Sequence, residues 1–477
     1  MRRDWFGRGK WVFVDWMGIN PGYGTAWDGA NSEGWCVPEG IAIKVHPPSV
    51  DPSMVIRPDQ PWEGNHMMAG YTTFLEDGGR YRCWYETDGP LCYAESDDGI
   101  SWRKPNLGQV EWDGSTQNNI VTISGLAKNP FDEAGVPHGH NVFVDPVAPD
   151  SERYKMVSCF WTKTERKVLG AMSPDGLQWT ALPQPLMEKQ HADTQNIAAY
   201  DEQLGKYVLY TRQSGPMQRR GVNRTVSSDF RHFPDSEPVL MGASNPLDPP
   251  DSDIYCNGYS RWPGATDAYL MRLSMYEHTP DTMNVHLATS RDGVFWHRPL
   301  IRTPWIDCVE GPEGLFQTVY ACAGVVPTAP GEWSTYAGIT KKLHNQPKAD
   351  RATSPSGIVR ATLREDGFTS LSSRGRGTFW TIPFELDSDV ISVNVRTLYS
   401  GFLRCQILSS GAGDTGGDPR FIEDIEGYTL DDSQAISGDH IDSPLSWNGK
   451  SDVSHLRGQT VRLRFDLYKA DLYAIRF

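Results

Sequence analysis

A short turn motif recurs along the chain, and its recurrence restricts the fold more than any other feature. It reads Ser96-Asp97-Asp98-Gly99-Ile100-Ser101-Trp102 and then Ser173-Pro174-Asp175-Gly176-Leu177-Gln178-Trp179. A degenerate copy, Ser228-Asp229-Phe230-Arg231-His232-Phe233, follows. Then come Ser290-Arg291-Asp292-Gly293-Val294-Phe295-Trp296 and the weaker Arg364-Glu365-Asp366-Gly367-Phe368. Ser and Asp side chains bond nearby backbone amides and Gly takes a positive φ, so each copy predicts a tight turn. The aromatic residue opens the next strand. Asp98, Asp175, Asp292 and Asp366 therefore read as turn-builders, and Asp229 and Asp251 as loop or capping residues.

Alternating apolar segments stand before each copy. Tyr81-Arg82-Cys83-Trp84-Tyr85-Glu86, Tyr154-Lys155-Met156-Val157-Ser158-Cys159 and Ala268-Tyr269-Leu270-Met271-Arg272-Leu273 are examples. Each unit reads as three strands, a turn and a fourth strand, and helical periodicity is almost absent. Repeated four-stranded units describe propeller blades. The expectation is an all-β chain: a five-bladed β-propeller over 47–375, followed by a C-terminal β-sandwich over 376–477. In the latter, Val390-Ile391-Ser392-Val393-Asn394-Val395 and Val461-Arg462-Leu463-Arg464-Phe465 alternate without the motif. Ser372 to Gly377 has linker composition, and residues 1–46 read as an N-terminal extension packing on the propeller. One large β-sandwich with accidental turn motifs is the competing fold.

Charge narrows the partners. The chain has 60 acidic and 45 basic residues, a net charge of −15, which repels phosphate. No nucleic acid and no membrane partner is expected, and no apolar run is long enough to span a bilayer. The N-terminal residues lack the apolar segment of a secretory signal. The expected location is cytoplasmic, or secreted or periplasmic if a signal was removed. The eight cysteines form no CxxC pair. They read as free buried thiols, with no metal site and no cofactor.

Several stretches carry a family resemblance: Arg80-Tyr81-Arg82-Cys83-Trp84-Tyr85, Ala94-Glu95-Ser96-Asp97-Asp98-Gly99, Asp193-Thr194-Gln195-Asn196, Leu287-Ala288-Thr289-Ser290-Arg291-Asp292-Gly293 and Asp471-Leu472-Tyr473-Ala474. Together they resemble the five-bladed propeller glycoside hydrolases of the invertase and arabinanase group, in a bacterial branch with a C-terminal β-sandwich. The resemblance implies a carbohydrate substrate and hydrolysis of an O-glycosyl bond. The invertase pattern of Asn-Asp-Pro-Asn, Arg-Asp-Pro and Glu-Cys segments is absent, so no catalytic residue is carried over from it.

Candidate site residues follow from propeller geometry, since ligands sit at one mouth of the central funnel. Polar residues just before the innermost strands are Glu63, then His138 and His140, then His191 and Asp193, then Asp253, then Glu310 and Glu313. Glycoside hydrolysis needs one carboxyl group to protonate the leaving oxygen and another, ionised, to attack or to activate water. Glu313 is expected as the acid, Asp193 as nucleophile or base, Asp253 as a tuning or hydroxyl-binding group and Glu63 as the reserve. His138, His140, Asn141, His191, Asn196, Tyr255, Asn257 and Glu310 are expected to bind substrate. The Gly- and aromatic-rich stretch from Gly18 to Trp27 and Gly34 to Cys36 reads as a loop over the funnel or as a packed extension. Arg212, Arg219, Arg220, Arg224 and Arg261 read as surface ion pairs or as partners of an acidic sugar. A non-catalytic carbohydrate-binding propeller, a protein-interaction propeller and a polysaccharide lyase using Tyr255, Tyr276 or His140 stay open beside the hydrolase.

Overall fold

The protein is seen in a computed structural model that describes residues 6, 8–24, 34–87, 89–126, 137–161, 166–190, 192–214, 219–298, 303–347, 354–411 and 421–477. Among these the chain is all β apart from short 3₁₀ turns. No helix is long and apolar enough to cross a membrane. The chain forms two compact units, Pro47–Arg261 with Tyr269–Arg364, and Met1–His46 with Trp262–Ala268 and Glu365–Phe477.

The first unit is a β-propeller built from antiparallel meanders. The first runs through Met67–Asp77, Arg80–Thr87 and Leu91–Ser96. The second uses His138–Val144, Tyr154–Trp161, Arg166–Ser173 and Trp179–Ala181. The third is Ile197–Asp201, Lys206–Ser214, Arg220–Ser227 and Glu237–Met241. The fourth is Ser252–Cys256, Tyr269–Glu277, Thr282–Ser290 and Trp296–His297. The fifth is Thr318–Ala321, Glu332–Thr340 and Ser356–Arg364, and its outer strand is Ser49–Ile56. The sequence placed that fourth strand after Gly367. The chain instead leaves the propeller there, and the strand preceding the first meander completes the last one. A bare edge is thereby paired.

The ring is closed by hydrogen bonds. Phe74 N donates to Ala323 O and Ala323 N to Thr72 O, both at 2.8 Å, joining the fifth meander to the first. Gly324 makes this approach possible: its φ is 108°, and a Cβ there would lie 1.9 Å from Phe74 O. The turn motif does the same work elsewhere. In three copies the serine Oγ accepts from the glycine N at 2.9 Å, and the aspartate Oδ1 accepts from the two amides after the glycine at 2.7–2.9 Å. Each glycine carbonyl so presented accepts from an aromatic of the preceding meander. Trp84 Nε1 reaches Gly176 O at 2.8 Å, Tyr210 OH reaches Gly293 O at 2.7 Å, and Tyr336 OH reaches Gly99 O at 2.6 Å. The last of these again crosses from fifth to first. The register pairs Ser96 with Tyr81, at the opposite end of the meander from the Met67–Thr87 pair. The motif carboxylate Asp98 therefore sits away from the strand starts.

In the second unit one antiparallel sheet wraps a single core. Its long strands Ser392–Ser410 and Thr460–Arg476 pair along most of their length, with a register break between Thr397 and Phe402. Thr369–Trp380 breaks register between Ser373 and Arg376. Val393, Val395 and Leu472 on one side of the breaks share the core with Leu403, Phe465 and Leu463 on the other. Ser372 to Gly377, whose composition reads as a linker, is this bulged part of a strand. Residues 1–46, expected as an extension on the propeller, supply Lys10–Val12 and Ala42–Val45 to this sheet. Phe6, Trp11, Phe13 and Ile19 bury their apolar surface in its core. Of the Gly- and aromatic-rich stretch, residues 25–33 lie outside the described residues. The fifth motif has changed role: Asp366 is fully buried and meets Lys10 Nζ at 2.7 Å, Arg476 Nη2 at 2.9 Å and Trp262 Nε1 at 3.0 Å.

Tyr336→Phe keeps the ring stacked on Phe74 but strands the buried Gly99 carbonyl. The expected cost is about 1–3 kcal/mol of stability, measured by urea unfolding. An unchanged midpoint would show that this latch does not hold the ring.

Candidate active site

Side chains from all five innermost strands, or the residues just before them, meet at one mouth of the propeller. Tyr71, His138, Asp193, Tyr255 and Tyr320 come from the first to the fifth meander in order. Tyr71 and Tyr255 bring their hydroxyls to 3.4 Å. The Tyr71 ring lies 6.2 Å from His138, and Tyr255 lies 5.8 Å from Tyr320 and 4.8 Å from His344. His344 Nδ1 is 3.2 Å from Tyr320 OH. A pocket opens beside the tyrosine pair, lined by His66, Tyr71, Tyr255, Tyr320, Lys342 and His344.

Local backbone devices aim these groups. The second innermost strand shifts register between His138 and Asn141. Gly139 takes φ 65° there, and a Cβ would lie 2.6 Å from Thr194 O, so only glycine fits. Asn196 Nδ2 donates to Ala192 O at 2.8 Å and Thr194 O at 3.0 Å, which folds the loop carrying Asp193. Gln195 Nε2 ties that loop to His140 O at 2.8 Å. Asn141 bonds Thr73 Oγ1 and accepts from Ala198 N at 3.1 Å, linking three meanders.

Asp193 is the charged focus. Its Oδ1 is 3.0 Å from His138 Nε2, and its carboxylate is 35% exposed. Arg212 Nη1 donates to Asp193 O at 2.8 Å and stands 3.6 Å from its Oδ2. Burial pulls the His138 pKa down, but Cys159, the bond to Asp193 and nearby Glu86 outweigh it and raise the pKa to about 11. Glu86, buried, is held below the usual carboxylate range against burial by His140, whose Nδ1 lies 2.5 Å away, and by His138. Burial raises the pKa values of Tyr71 and Tyr255, with help from neighbouring Tyr255 and Cys256 respectively, so both hydroxyls keep their protons. His138, Cys159 and Asp193 present a nitrogen, a sulfur and an oxygen within 4.8 Å of one another, donor types a divalent metal accepts.

The other expected carboxylates sit differently. Glu63 is sealed: its side chain has no exposure, Lys104 Nζ is 2.8 Å away, and Tyr85 OH and two backbone amides bond it. Asp253 is 3% exposed, bonded to His278 Nε2 at 2.8 Å and to Arg220 N at 3.1 Å. Glu313 is 39% exposed on the hairpin Val309–Gly311/Gly314–Phe316, 3.7 Å from Arg57. Glu310 is exposed on the same hairpin. His140 and Asn257 are buried, and Asn257 Oδ1 accepts from Tyr259 N at 3.0 Å in a local turn. His191 lies outside the described residues. Tyr71, Tyr320 and His344 escaped the sequence reading. Tyr71 and Tyr255 each sit a few residues inside an innermost strand, Gly70-Tyr71 and Ile254-Tyr255, and aligning the strand starts was the available signal.

The raised His138 pKa fixes the sign of a pH effect. A folded value above the ordinary 6.5 stabilises the fold fully below about pH 6.5, and that contribution is lost as pH rises through about 11. His138→Gln should therefore be less stable than wild type at neutral pH, with the difference shrinking toward pH 11 in urea unfolding. A difference already gone near pH 8 would contradict the pairing.

No family model and no curated protein sequence matches the chain. Among solved structures, a thermostable family-43 glycoside hydrolase is 14% identical, over 65% of this chain and 94% of that one, with a TM-score of 0.43. An endo-arabinase from Bacteroides thetaiotaomicron is 10% identical, over 65% and 97%, with a TM-score of 0.41. An N-acetylgalactosamine deacetylase from F. plautii, solved with blood group B trisaccharide, is 15% identical over 68% and 96%, with a TM-score of 0.42. The solved structures it is similar to thus include glycoside hydrolases of the arabinanase type.

Proposed function

We propose that the propeller is a carbohydrate-active enzyme that cleaves a glycosidic bond at this mouth, with Asp193 as the ionised carboxylate. One observation carries the reading. Of the four candidate carboxylates, Asp193 alone pairs with His138 where side chains of all five meanders meet, and it keeps an exposed face. A fixed anion beside a pocket suits attack on an anomeric carbon or activation of water.

Glu313 is the proposed acid. Asp253 is occupied by His278 and Glu63 by Lys104 and Tyr85, whereas Glu313 is exposed on the hairpin that leads into the fifth innermost strand. The tyrosine pair supports a second reading, β-elimination. Tyr255 would move the proton, and the guanidinium of Arg220, 4.9 Å from the Tyr255 ring centre, would neutralise a uronate.

Three variants separate these readings. Asp193→Asn should lower turnover on the order of 10²–10⁴-fold on every substrate. Glu313→Gln should hurt natural oligosaccharides but partly spare activated aryl glycosides, whose leaving groups depart without protonation. A mild Glu313→Gln with an inactive Tyr255→Phe, and products carrying a new double bond, would establish elimination. Unchanged turnover in Asp193→Asn would place the chemistry elsewhere.

A further inference from the structure

We infer that the mouth binds an acidic sugar, a uronate whose carboxylate docks on the guanidinium fork of Arg220. The inference rests on the reading of the mouth as a carbohydrate site and names its substrate class.

The sign of charge is the first observation. The chain carries a net charge of −15, yet Arg212 and His138 flank the partly exposed carboxylate of Asp193, and Arg220 neighbours Arg212. Like charges held this close are costly unless an anion joins them.

The second observation is what Arg220 lacks. Its guanidinium lies over Tyr255 at 4.9 Å and Tyr276 at 5.9 Å, and its side chain has no hydrogen-bond acceptor among the described residues. Other arginines of the third and fourth meanders are occupied. Arg219 donates to Ser252 O and Pro250 O, Arg224 to Tyr210 OH, Arg261 to Glu202, and Arg298 to both oxygens of Asp248. Arg212 adds a buried Nε without a partner. Held over the Tyr255 ring, with no side-chain acceptor among the described residues, the Arg220 fork suits a planar, bidentate carboxylate. A neutral hexose offers nothing that requires this charge.

The test is calorimetric binding by the full chain. The probes are oligosaccharides of galacturonate, glucuronate and mannuronate, their neutral galactose, glucose and mannose counterparts, and sulfated galactose oligosaccharides. At least one uronate should bind about 10–100-fold more tightly than its neutral counterpart, and rising salt should erode the preference. Arg220→Gln should abolish that preference and Arg220→Lys should retain part of it. Arg219→Gln, next door with its guanidinium already occupied, should leave it unchanged. Equal binding of acidic and neutral sugars, or a preference that survives Arg220→Gln, would overturn the inference while leaving the carbohydrate site standing. Binding of the sulfated probe alone would overturn the carboxylate assignment. No binding by any oligosaccharide would overturn the carbohydrate site itself, and the inference with it.

Discussion

The hydrogen bonds that tie the fifth meander to the first govern this structure. Meanders in an open row would leave edges at both ends and would bring no two distant strands together. The Phe74–Ala323–Thr72 ladder and the Tyr336–Gly99 bond turn the row into a ring. Once the ring is closed, the starts of the innermost strands must surround one axis. Residues from Tyr71 to His344, far apart in the chain, thus become neighbours. The site is a consequence of closure more than of any local motif.

What gathers at that axis is chemically mixed. An aspartate sits against a protonated histidine, two tyrosine hydroxyls touch, and two arginines crowd one side. The groups beneath are tied together across meanders. Glu86 holds His140 and helps hold the charge on His138, while Gln195 and Asn141 bridge neighbouring meanders. Such a hydrogen-bonded polar layer fixes the positions of the exposed groups above it. Glu63 is part of comparable scaffolding, since its bonds to Lys104, Tyr85 and two amides leave it no free face.

The fold was legible because its signal is local. Ser-x-Asp-Gly turns and alternating segments report themselves within a few residues, and they gave the meanders and their order. Closure was not legible: nothing in Ser49–Ile56 announces that it pairs with Ser356–Arg364, some 300 residues away. The same limit applied to residues 1–46, of which Phe6, Trp11 and Phe13 find their core in strands beyond Thr369. At the site, position before an innermost strand picked out His138 and Asp193, which meet. The rule could not tell Asp193 from Glu63, because burial decides between them. It also passed over Tyr71 and Tyr320, whose side chains reach the axis from inside their strands.

The most direct measurement is a crystal structure of Asp193→Asn soaked with an oligosaccharide that the protein binds. A ring-centred site predicts sugar density over the Tyr71–Tyr255 pair, within hydrogen-bond reach of residue 193. Sugar held only at the propeller rim, with the mouth empty, would contradict it.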